Sequence, residues 1–115
     1  MKTFIKVVSI LFLFATFLAA QENEITEAKF KVFGNCSMCK TRIEKAAKIK
    51  GVKFAKWDKK EKILTVAFLS QSVSVDSLHK RIAAVGHDTE KYKAPDDVYK
   101  ALPACCLYRA NPTTH

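Results

Sequence analysis

The stretch AKFKVFGNCSMCKTRIEKAAKIKG, residues 28–51, changes its hydrophobic period once, and that change decides the fold. Before the break, Ala28, Phe30 and Val32 alternate with Lys29 and Lys31, the period-two pattern of a strand with one buried face. Beyond it, Cys39, Ile43, Ala46 and Ala47 recur at helical spacing, while Lys40, Arg42, Glu44, Lys45 and Lys48 take the wet side. Gly34 and Asn35 interrupt the strand, and the spacing predicts a helix from about Met38 to Ile49. Lys48 and Lys50 suit its negative pole, and Gly51 supplies the stop. The pair Cys36 and Cys39 therefore falls where a strand hands over to a helix.

Working outward, Val52–Trp57 reads as a second strand, the polar tip Asp58–Glu61 as a turn, and Lys62–Leu69 as a third strand. Leu64, Val66 and Phe68 share one face of that third strand. Ser74 is placed to cap a second helix over 75–85, whose buried stripe is Val75, Leu78, Ile82 and Val85. His79 falls on the wet side of this helix. Gly86 ends it, and Thr89–Lys93 reads as a short fourth strand. The order strand, helix, strand, strand, helix, strand predicts an α+β, ferredoxin-like βαββαβ sandwich: a four-stranded antiparallel sheet with two helices on one face. From Pro95 a C-terminal tail follows, with a short helical turn expected at Asp97–Leu102.

The chain has 115 residues, enough for one small domain. Lys2 and Lys6 precede an apolar run from Val7 to Ala20, broken only by Ser9 and Thr16. That run is shorter than the ~20 residues that cross a bilayer, and small residues stand before Gln21. Residues 1–20 read as a signal peptide, 21–94 as the folded domain and 95–115 as a cysteine-containing tail. The expectation is export across an inner membrane into a bacterial periplasm, with no stable membrane insertion after cleavage. Cleavage near Ala20 removes Lys2 and Lys6 and no acids, lowering the formal charge from +9 to +7. An exported basic protein without an aromatic-and-basic RNA-binding motif is not read as a nucleic-acid binder; its charge steers it toward acidic partners.

The four cysteines come as Cys36 with Cys39 and Cys105 with Cys106. A bridge within either pair closes a tiny loop and constrains little of the unfolded chain. The spacing is suited to chemistry more than to stapling. Unpaired N–H groups in the first helical turn favour thiolate over thiol, with Lys40 and Arg42 adding positive charge. Thiolates bind soft ions such as Cu(I). Three chemistries stay open at this point: a transferable soft metal, a thiol–disulfide oxidoreductase, and zinc held by all four cysteines. Against the second, the residue before Cys36 is Asn35 rather than an aromatic, and the sheet reads as antiparallel.

The segments FGNCSMCKTRIEKA, KGV, KILTVAF and IAAVGHDTEKYKA resemble the heavy-metal-associated domains of copper chaperones, copper-pumping ATPases and periplasmic mercury-binding proteins, a resemblance that covers about Glu27 to Lys93. The resemblance implies a non-enzymatic metal carrier or buffer with Cys36 and Cys39 as ligands, for Cu(I) first and Hg(II) or Zn(II) after it. It implies transfer by thiolate exchange to an acidic metal-transporting or metal-accepting protein, with Lys40, Arg42, Lys59 and Lys60 guiding docking. A metal shared between two such loops would bridge a homodimer. His87, in the loop facing the cysteines, is a candidate additional ligand or a hydrogen-bond donor to a thiolate. Cys105 and Cys106 are candidate additional ligands too. The eleven residues from Ala94 to Cys105 reach roughly 36 Å when extended, enough to return along about 15–20 Å of strand. Tyr99, Leu102, Leu107 and Tyr108 are available to pin the tail. One departure stands out: the family's Met beneath the loop is replaced by Gly34, while Met38 lies inside the motif, more often a packing residue than a ligand.

Overall fold

The computed structural model describes residues 24–110; the signal-like segment and His115 lie outside the described residues. Its elements are β1 (Ile25–Lys31), α1 (Ser37–Ala47), β2 (Val52–Asp58), β3 (Ile63–Leu69), α2 (Val75–Ala84), α3 (Asp96–Lys100) and a 3-10 turn at Ala104–Cys106. β3 lies between β1 and β2, antiparallel to both. The register sets Phe30 opposite Leu64 and Ala28 opposite Val66, while on the other side Trp57 faces Leu64 and Ala55 faces Val66. These residues share one face because side chains along a strand alternate. Ile43 and Ala47 of α1 and Leu78 and Ile82 of α2 cover that face, all with no exposed surface. Among the described residues, no helix is long and apolar enough to cross a membrane.

The helix boundaries follow from local chemistry. Ser74 Oγ accepts the Ser77 amide at 3.1 Å, satisfying one of the unpaired donors of α2. After α1 and α2 the chain turns through Gly51 (φ 97°) and Gly86 (φ 109°), in the left-handed region where a side chain is strained. At Gly86 a side chain would also collide with Leu102 of the tail, 2.9 Å from the nearest position of an added Cβ.

The expected fourth strand at Thr89–Lys93 is not formed among the described residues. Only one antiparallel bridge, Val32 with Thr89, survives of it. The reason is a side chain. Thr89 Oγ1 accepts the amides of Lys91 and Tyr92 at 3.1 and 3.0 Å, and the Thr89 amide donates to the Tyr92 carbonyl at 2.8 Å. A local turn therefore replaces extension, as hydroxyl side chains allow. The edge of β1 keeps partial pairing: Glu90 N donates to the Lys31 carbonyl, and the Glu90 carboxylate accepts the Lys31 amide.

The same turn corrects the position of His79. It is buried, not wet: the turn folds over it, and its ring stacks on Phe30 with centroids 3.9 Å apart. With both acceptor positions of the Thr89 hydroxyl filled by amides, its proton goes to His79 Nδ1, 2.7 Å away, leaving the imidazole proton on Nε2. Burial holds the His79 pKa below its ordinary value, with the charge of Lys91 acting in the same direction. Thr89→Val keeps the shape but strips these three partners, so it is expected to lower stability by about 2–4 kcal/mol in urea denaturation. An unchanged midpoint would show that the turn does not depend on the hydroxyl.

Candidate metal centre

Cys36 occupies the N-cap of α1 with extended backbone, and its carbonyl accepts the Lys40 amide at 3.1 Å. Its sulfur makes no full capping hydrogen bond. Cys39, in the first turn, has no exposed surface and accepts the Asn35 amide at 3.4 Å. The two sulfurs are 3.4 Å apart. Beneath them lies Trp57, anchored by its indole N–H on the Val32 carbonyl at 2.9 Å. That indole explains Gly34: a Cβ there would stand 3.0 Å from Cys39 Cβ and 3.1 Å from the Trp57 ring. The space that a Met would fill is already occupied. Gly34→Ala is expected to overpack the loop, costing about 1–2 kcal/mol and shifting the emission of the single tryptophan; unaltered stability and fluorescence would refute the close packing.

The tail brings the second pair to the first. Cys106 is fully buried, with its sulfur 2.6 Å from Cys39 Sγ and 3.4 Å from Cys36 Sγ. Cys105 is partly exposed and lies 3.1 Å from Cys36 Sγ, with Met38 Sδ 3.7 Å on its outer side. Met38 is half exposed and so is not a packing residue of the core. The sulfurs of Cys36, Cys39 and Cys106 all lie within 4.8 Å of one another. Among the described residues no carboxylate or imidazole joins that set, so the donors match a soft ion and not a hard one. None of the four cysteines is in a disulfide.

His87 is outside this set. Its buried ring donates Nδ1–H to the Phe33 carbonyl at 2.8 Å and stacks on Tyr108, while Nε2 has no hydrogen-bond partner among the described residues. Burial pushes its pKa down to about 4, so the ring is neutral near pH 7. It positions the residue before the cysteine loop. Of the basic residues, Lys40 is paired with Glu44 and with the Trp57 carbonyl, and Arg42 turns inward to Cys106 Sγ at 3.5 Å. Lys62, not singled out by the sequence reading, donates to the Gly34 carbonyl at 2.6 Å. Burial lowers the Lys62 pKa, with the charge of Lys59 acting in the same direction and the charges of Cys39 and Cys36 opposing the fall.

Cys36 is the cysteine whose thiol is brought below its ordinary pKa. Burial alone would push its thiol up, but the Cys105 thiol and the Cys39 amide, with smaller help from Cys106 and Cys39 sulfurs, bring it down to about 6. Cys105 is raised, chiefly by its hydrogen bond to Cys36 and then by burial. Cys106 is raised by burial first and then by Cys39, against the pull of Arg42. In reduced, metal-free protein, iodoacetamide is expected to modify Cys36 with a midpoint near pH 6, falling away below it, and to spare Cys106. Peptide mapping after alkylation across pH 5–9 reads this directly; a midpoint near 8–9 for Cys36 would contradict it.

No protein-family profile matches the chain, and no curated protein does. Solved structures do. A CopZ metallochaperone aligns with a TM-score of 0.54 at 26% identity, covering 56% of this chain and 98% of its own. Oxidized MerP from Ralstonia metallidurans CH34 aligns at 0.55 and 26%, covering 58% and 96%. The N-terminal domain of a potential copper-translocating P-type ATPase from Bacillus subtilis, in its Cu(I)-loaded state, aligns at 0.54 and 29%, covering 57% and 85%. In its small α+β fold of three antiparallel strands and helices, and in its Cys-x-x-Cys site, this chain is similar to the heavy-metal-associated domains of copper and mercury proteins.

Proposed function

We propose that the protein is an exported, non-catalytic carrier or buffer of a soft metal ion, Cu(I) first and Hg(II) second, held by Cys36 and Cys39. The observation that carries this reading is the pair of sulfurs 3.4 Å apart at a helix N-terminus, one of them poised as thiolate. The likeness to a metallochaperone, a MerP and a Cu(I)-loaded ATPase domain supports the same class of cargo. Residues 1–20 would direct export to the periplasm and be cleaved from the mature domain that begins near Gln21.

Cys36 makes the first exchange with a partner thiolate. Its thiol is held below the ordinary pKa, and it sits at the loop end of the pair while Cys39 has no exposed surface. The partner is an acidic metal-transporting or metal-accepting protein, drawn to the basic turn that includes Lys59 and Lys60. One specific observation favours a second reading, zinc held by four thiolates: Cys105 and Cys106 both approach Cys36. A tetrahedral site with Zn–S near 2.3 Å requires every sulfur pair to lie about 3.8 Å apart, and Cys105 falls outside the mutually close set.

Competition titration of Cu(I) with a chromophoric chelator is expected to show binding at least a hundredfold tighter to the wild type than to a Cys36→Ala, Cys39→Ala variant. Equal binding would overturn the reading. Elemental analysis of protein purified under reducing conditions decides among copper, mercury and zinc.

A further inference from the structure

The approach of Cys106 to the Cys-x-x-Cys loop is held by a set of contacts that a merely packed tail does not need. Tyr108, two residues after Cys106, donates its hydroxyl to the Gly86 carbonyl at 2.7 Å and accepts the Asp88 amide at 2.7 Å. Arg109 forks onto Asp88 through Nε at 3.0 Å and Nη2 at 2.7 Å, with Nη2 also reaching the Ala94 carbonyl. Its Nη1 pairs with Asp96, and its guanidinium lies 4.2 Å from the Tyr99 ring centroid. Bidentate arginine–carboxylate pairs fix direction as well as adding energy. Leu102, against Gly86, closes the near side of the tail. Between these anchors Pro103 and the 3-10 turn point Cys106 inward, where its sulfur meets those of Cys39 and Cys36.

We propose that Cys106 is a third, in-chain ligand of the soft ion, so that the tail closes the Cys-x-x-Cys loop into a three-thiolate chamber with Cys105 and Met38 at its mouth. This rests on the soft-metal reading above and adds the regulation of that site. Three observations carry it. The three sulfurs are mutually close and buried, whereas Cys105 is partly exposed and Met38 half exposed. Two cations stand by the loop: Arg42 donates to Cys106 Sγ, and Lys62 donates to the Gly34 carbonyl two residues before Cys36. Three thiolates around a monovalent ion carry a net charge of minus two, which these two cations match; a buried charge left unmatched is costly.

The third observation concerns access. A partner's thiol reaches a two-coordinate ion only through an open coordination position, and here Cys106 fills it from within the chain. Release therefore requires either displacement of Cys106 or opening of the Arg109–Asp88 latch. The resident tail also competes with a second copy of the protein for the same position, disfavouring a metal-bridged dimer.

The test uses the reduced full chain loaded with one equivalent of Cu(I). X-ray absorption is expected to give three sulfur neighbours per copper in the wild type and two in Cys106→Ser. The Cys106→Ser protein should bind about tenfold more weakly in chelator competition. Arg109→Ala removes no sulfur, and should keep three neighbours while releasing copper to a competing chelator about tenfold faster. Two sulfurs in the wild type, or three retained in Cys106→Ser whether from a dimer or another donor, would overturn the proposal. Either result leaves the two-sulfur Cys36–Cys39 site standing, whereas failure of the soft-metal reading appears separately, as undiminished binding in the Cys36→Ala, Cys39→Ala variant.

Discussion

Asp88 is the joint on which the site end of the molecule turns. Its carbonyl accepts the Phe33 amide at 2.9 Å, holding the end of the first strand just before the cysteine loop. The amide of the same residue donates to Tyr108, and its carboxylate takes Arg109 and the Ala94 amide, holding the tail. One residue thus ties together the chain before Cys36 and the chain after Cys106. Burial would raise the Asp88 carboxyl, but Arg109 and the Ala94 amide hold it below the usual carboxylate range. A depressed carboxylate contributes stability that is present above its unfolded pKa and is lost as pH falls through the folded one, so acid loosens the tail.

The parts of the fold that depend on local pattern were legible in the sequence. Alternation in 28–32 and 62–69, helical spacing from Cys39 to Ala47, and the stop at Gly86 correspond to the structure, because each is a property of a short window, whereas α1 ends at Ala47 and Gly51 instead turns the chain into β2. The Ser74 cap was legible for the same reason. What escaped depends on side chains meeting from distant segments. Thr89–Lys93 has the composition of a strand, and only the competition of the Thr89 hydroxyl for nearby amides turns it aside. His79 is polar on a helix flank and becomes buried because that turn covers it.

The candidate site divides in the same way. The Cys-x-x-Cys pair could be read from four consecutive residues, and its junction setting from the change of period across 28–51. The return of the tail was a matter of reach, which permitted it without requiring it. What requires it is Arg109 finding Asp88 and Tyr108 finding Gly86, pairings with no periodic signature. The role of Gly34 was likewise hidden until Trp57 was seen beneath the loop, since a glycine in place of a larger residue reads as slack unless the neighbour that fills the gap is known.

Affinity and exchange make opposite demands on such a site. Two thiolates on a loop leave an ion open to attack by a third, which favours transfer; a third thiolate in the same chain slows that attack and lowers the concentration of free ion. Cys36 is suited to the first demand by its low pKa and position, and Cys106 to the second by its burial. Because Cys106 is held from outside the sulfur cluster, through Tyr108 and Arg109, the balance between holding and handing over can be set without altering any ligand. An acidic partner that draws Arg109 away from Asp88 would at once weaken the latch and present its own thiol to the opened ion. Docking and release would then be one event.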